Sequence, residues 1–112
     1  MYKDLKNKIY KPIYFLSGEE PYFIDLITKF INDNVLTDAE KSFNQTVLYG
    51  KETEIHTVIN SAKRFPMMAD RQVVIVKEAQ ELSRTIDKLE SYIENPQPTT
   101  VLVFAYKYKS LF

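Results

Sequence analysis

The sequence predicts an α/β domain: a three-layer parallel sheet with helices on both faces. Three observations predict it. Ile13–Leu16, Val73–Val76 and Thr100–Ala105 are continuous apolar or β-branched runs, where a half-exposed strand would alternate. Amphipathic stretches at helical spacing lie between the strand-like runs, so strand and helix alternate along the chain. Only two glycines in 112 residues argue against a turn-rich sandwich.

The chain length suits one domain with a real core. Hydrophobic residues at 45% and charged residues at 27% are ordinary globular values. Fifteen basic and fifteen acidic residues cancel, so no overall field draws the domain onto nucleic acid or an anionic membrane. Without cysteine there is no disulfide, thiol nucleophile or thiolate metal site. No apolar run approaches the roughly 20 residues that span a bilayer. MYKDLKNKIYK lacks the apolar core of a secretory signal. These features read as a soluble, cytoplasmic protein.

Residues 3–9 suit a short helix that Pro12 ends. Ile13–Leu16 follows as a strand expected to be covered on both faces. Ser17–Pro21 is a turn, with Pro21 fit for a first helical position and Glu19 and Glu20 suited to the positive helix end. The helix it opens runs to about Leu36 and sets Phe23, Ile24, Ile27, Phe30 and Ile31 on one face. Thr37–Lys41 reads as polar connection. Phe43–Tyr49 reads as an edge strand closed by Gly50. Thr53 is an expected N-cap for a helix whose buried stripe is Ile55, Val58, Ile59 and Ala62. Val73–Val76 is expected at the sheet centre. Ser83 is expected to cap a third helix to Glu94, with Ile86, Leu89 and Ile93 inward, before Asn95-Pro96-Gln97-Pro98 stops it. The last strand, Thr100–Ala105, is followed at once by the end of the chain, which reads as a fragment of a longer protein.

Most candidate chemistry fails on inspection. A phosphate loop after the first strand needs G-x-x-x-x-G-K-[ST], many bare N–H groups and a lysine. Here Gly18-Glu19-Glu20-Pro21 offers one glycine, a proline without an N–H, and two carboxylates where phosphates would sit. His56 has no acidic partner at metal-ligand spacing, and Ser17-Gly18 is not a nucleophile elbow. No catalytic residue and no metal site is predicted. The lysines at 3, 6, 8, 11, 107 and 109 read as solvated surface.

Phe65-Pro66-Met67-Met68 is different, because a connection running over the surface carries three large apolar side chains. Two readings stand: core packing, with Phe65 folded inward, or a protein-binding tip. Adjacent Met67 and Met68 cannot both point inward from a short extended turn, and methionine adapts readily to a partner surface. Pro66 stiffens the turn.

Tyr14–Pro21, Met67–Val74 and Thr100–Phe104, in this order and spacing, resemble the DNA polymerase III delta subunit family, whose N-terminal domain belongs to the bacterial clamp loader. The resemblance implies an AAA+-like (P-loop-NTPase-like) domain without a functional phosphate loop, degenerate here at Gly18, Glu19, Glu20 and Pro21. It implies strand order 1-4-3-2 across residues 1–112, within a family order of 5-1-4-3-2. It implies a partner, the ring-shaped sliding clamp (the beta subunit), which delta binds and opens for loading on primed DNA. The plug that enters the clamp maps onto Met67 and Met68, where the family commonly has Leu-Phe, with Phe65 and Pro66 as support. The implied role needs no cofactor in this domain, which is itself non-catalytic within a DNA-directed DNA polymerase holoenzyme. Other loader subunits and, through them, DNA are the further implied partners; no membrane is. With strand 5 absent, the Ile13–Leu16 edge is expected to drive self-association. The alternatives are a nucleotide-binding P-loop enzyme and a flavodoxin-like interaction domain with strand order 2-1-3-4.

Overall fold

The apolar runs pair as parallel strands because each buries both of its faces or stands beside one that does. The structure, a computed structural model, describes residues 2–18, 21–82 and 86–107, with backbone alone at Tyr2, Gly18, Pro21, Ile86 and Lys107. Its four strands are β1 (Ile13–Gly18), β2 (Gln45–Tyr49), β3 (Gln72–Lys77) and β4 (Thr100–Lys107). They form one parallel sheet in the order β1-β4-β3-β2. The flavodoxin-like order is thereby set aside.

Alternation along the central strands supplies two cores. Val73, Ile75, Val101 and Val103 meet Tyr14, Leu16 and the helices α1 (Tyr2–Lys6) and α2 (Pro21–Asn34), through Leu5, Ile24, Ile27 and Ile31. Val74, Val76, Leu102 and Phe104 face the other way, onto Ile55, Val58 and Ala62 of α4 (Ile55–Ala62) and onto Leu89 and Tyr92. Helices therefore cover both faces, as expected.

Several local expectations are corrected. Asp38–Asn44 is a helix, α3, and not connection leading into a strand. Thr37 caps it with a reciprocal capping box: its Oγ1 accepts the Glu40 N–H, and the Glu40 carboxylate accepts the Thr37 N–H at 2.9 Å. Phe43 is consequently exposed, and β2 begins only at Gln45. The N-cap of α4 is Glu54, not Thr53. The third helix is two 3-10 turns (Ala79–Leu82 and Ile86–Leu89) and one short α5 (Glu90–Glu94). Its predicted cap, Ser83, lies outside the described residues, as does the Ile86 side chain. Tyr92, not Ile93, is the inward residue of α5, since the 3-10 pitch shifts which side chains face the sheet. Phe23 is exposed, although its neighbour Ile24 lies in the core.

β1 is buried on one face only. Tyr14 and Leu16 enter the core, while Phe15 remains 46% exposed. Phe15 stacks flat on its register partner Phe104, with centroids 5.0 Å apart, but no helix covers it among the described residues.

Candidate protein-binding tip

Ala62 is the last buried residue of α4, and the chain must then reach Gln72 at the start of β3. Buried polar side chains fix where it leaves. Gln72 Nε2 stands within hydrogen-bond distance of the Ser61 and Arg64 carbonyls and of Thr100 Oγ1. Thr100 Oγ1 donates to the Ala62 carbonyl at 2.6 Å. These bonds satisfy carbonyls that a helix end leaves without partners. At the other end of the loop, the Arg71 guanidinium lies 4.9 Å from the Tyr10 ring centroid, a cation–π contact.

A third hold falls in the middle. Asn44, the buried last residue of α3, accepts the Met67 N–H on Oδ1 at 2.6 Å and donates from Nδ2 to the Met67 carbonyl at 2.8 Å. The next residue, Met68, has φ 57°, the left-handed region that costs a non-glycine residue about 1–2 kcal/mol.

With the backbone held, the side chains go outward. Met67 is 61% exposed, Met68 97% and Phe65 77%, with Pro66 half-buried between them. Exposure of Phe65 corrects the expectation that it would fold into the core. Past Ala62 the chain runs along the end of the sheet, and the core has no wall there for Phe65 to meet. The four predicted residues thus stand together on one loop, three of them presenting apolar surface to solvent. Sequence reasoning passed over Asn44 and Gln72, whose residue types signal nothing without their neighbours.

The other candidates lie elsewhere. Gly18 closes β1 at the opposite end of the sheet, and Glu19 and Glu20 lie outside the described residues. Near that end a crevice of about 720 Å³ is lined by Asp25, Thr28, Lys29, Tyr49, Lys77 and Glu78 among others, with balanced charge. Lys29 pairs with Asp33 at 2.9 Å, and their hydrogen bond holds the ammonium above and the carboxyl below its ordinary pKa range. His56 is exposed on α4. Among the described residues, no three His, Cys, Asp or Glu side chains gather as metal ligands, and no helix is long and apolar enough to cross a membrane.

Comparison with known proteins bears on this arrangement. The family profile for the DNA polymerase III delta subunit matches residues 14–111. The DNA polymerase III subunit delta of Bacillus subtilis is 32% identical over 120 aligned positions, which take in 99% of this chain and 35% of that protein. The solved structure of the Bacillus subtilis DNA clamp loader delta protein superposes with a TM-score of 0.82 at 31% identity, covering 96% of this chain and 35% of that one. The chain thus spans about a third of the length of these relatives. With nearly its whole length matched in sequence and in fold, the chain belongs to the DNA polymerase III delta subunit family.

Proposed function

We propose that this chain is the clamp-engaging domain of a clamp-loader delta subunit, and that it binds and opens a sliding clamp through Met67 and Met68. The observation that carries the reading is the tip itself: three large apolar side chains exposed on a loop whose backbone is fixed at Arg64, Met67 and Arg71. A hydrophobic tip on a rigid support loses little entropy when a pocket closes over it. Phe65 and Pro66 flank the two methionines and supply the rim of the contact.

The mechanism is mechanical. Binding shifts a ring between closed and sprung states only by the difference in affinity for the two. A tip that fits the clamp better with one interface sprung favours opening without any chemistry in this domain. Gly18, Glu19, Glu20 and Pro21 form a degenerate phosphate loop that takes no nucleotide, and ATP is used by other loader subunits. Those subunits, and DNA through the assembled loader, are the further partners, in the cytoplasm. The Ile13–Leu16 edge is a site of self-association in the isolated chain, supported by the uncovered Phe15.

The test replaces Met67 and Met68 together by Ala and measures affinity for the sliding clamp of the source organism by calorimetry. Both side chains are exposed, so circular dichroism and melting temperature are expected to hold. Affinity is expected to fall by about 30-fold or more, as for buried interface anchors. Unchanged affinity would remove the tip from the mechanism.

A further inference from the structure

We infer that Asn44 is a positioning residue for the tip, holding Met67 and Met68 in their binding conformation before a partner arrives. The inference rests on the reading of the tip as a protein-binding element. Asn44 belongs to another helix, 23 residues away in sequence, yet its carboxamide meets both polar groups of the Met67 backbone. This is the double hydrogen bond that a residue in a strand exchanges with its opposite number in an antiparallel ladder. One side chain replaces a whole strand there. The second Nδ2 hydrogen is used on the Glu40 carbonyl at 3.0 Å, which locks the carboxamide plane to the end of α3. Asn44 is 2% exposed, so its side of these bonds is shielded from water.

What is held makes the case. Asn44 spends its bonds on a residue whose own side chain lies in solvent and on the peptide leading into Met68, whose left-handed backbone an unrestrained methionine seldom adopts. Strain of this kind persists only where the surroundings over-determine it, and it collects at binding elements. The carboxamide is specific for the task. Leucine offers neither donor nor acceptor, and aspartate sets an oxygen against the Met67 carbonyl. A loop already in its bound shape loses less freedom on docking, so the effect is on affinity.

The experiment compares Asn44→Ala and Asn44→Asp with the unsubstituted chain, and repeats Asn44→Ala in the Met67→Ala/Met68→Ala background. Two quantities are read: affinity for the sliding clamp, and amide hydrogen exchange at Met67. Both single variants are expected to weaken binding about tenfold, the scale of one or two net hydrogen bonds. Exchange at Met67 is expected to accelerate at least as much, while Val74 and Ile75 keep their protection. In the double-alanine background Asn44→Ala is expected to add nothing. Slow Met67 exchange retained in Asn44→Ala would overturn the inference, as would an equal loss of affinity in both backgrounds. Should Asn44→Ala fail to fold, the same outcomes in Asn44→Asp decide. If affinity survives Met67→Ala/Met68→Ala, the tip reading falls and this role with it. If affinity falls there but not in either Asn44 variant, only the positioning role falls.

Discussion

Gln72 Nε2 lies 2.8 Å from the carbonyl oxygen of Arg64, the last residue before the exposed Phe65. The same nitrogen is 2.9 Å from the Ser61 carbonyl, and Gln72 is only 4% exposed. The end of α4 and the base of the tip are therefore closed by one buried carboxamide. Gln72→Leu fills the space but takes the carboxamide donor from the Arg64 carbonyl and leaves Ser61 only its bond from the Arg64 N–H, and is expected to cost about 1–3 kcal/mol. Scanning calorimetry should show a fall of about 4–8 °C per kcal/mol for a domain of this size. An unchanged melting temperature would mean that water serves the carbonyls equally well.

Gly50 is where β2 leaves the sheet. Its N–H donates to the Lys77 carbonyl at 2.7 Å, and a β-carbon at this position would overlap the carbonyl oxygen of Glu78. Glu78 itself has φ 53°, and its carbonyl accepts the Glu81 N–H at 3.1 Å. Gly50→Ala is expected to destabilise by about 1–3 kcal/mol, the range of overpacked sites. A urea midpoint equal to that of the unsubstituted chain would show that the Glu78 turn yields.

Alkaline pH should unfold the domain through its buried phenols. Burial lifts the Tyr14 and Tyr92 hydroxyls above the ordinary phenol range, against smaller opposing contributions from the N–H groups of Lys11 and Gln97. In the unfolded chain both titrate near pH 10, so the unfolded state loses protons first. The stability they confer is present below about pH 10 and is lost as pH rises toward their folded values. Urea midpoints should be flat to about pH 9.5 and decline above pH 10. Tyr14→Phe should make that decline shallower. At neutral pH it is expected to cost about 0.5–1.5 kcal/mol for the lost Lys11 N–H bond. A decline of the same slope in Tyr14→Phe would assign the effect elsewhere.

Phe15 stacks on Phe104 at the uncovered side of β1, and charge there should block edge pairing. Phe15→Lys is expected to abolish concentration-dependent association in analytical ultracentrifugation while leaving the circular dichroism spectrum intact. A chain already monomeric at the highest concentration reached would remove self-association from its properties.

The sheet was legible because Val73–Val76 and Thr100–Ala105 are apolar on both faces, and only burial on both sides accommodates that. Its strand order came from the family resemblance, since periodicity says nothing about which strands are neighbours. α3 was missed although Thr37-Asp38-Ala39-Glu40 carries a capping box, because β-prone Phe43–Tyr49 drew the strand boundary too early. The chain passes from helix at Asn44 to strand at Gln45 with no turn residue to mark the change. The tip was legible as an apolar loop, and Met67 and Met68 as its outward part. Phe65 was placed inward on hydrophobicity alone, which cannot tell that the chain leaves the core after Ala62. Nor can sequence pattern reveal a left-handed backbone at Met68, a position where glycine would have announced it.

Because every strand runs the same way, the loop before β3 and the crevice after it stand at opposite poles of the domain. Six residues of β3 at about 3.3 Å each separate them by about 20 Å. A body gripped at one pole leaves the other free for a second body, and the two need never compete. Since β3 is bonded to β2 on one side and to β4 on the other, the sheet holds the two poles at that separation. On the proposed reading, the sheet is then the strut between whatever holds the domain and the clamp that its tip engages.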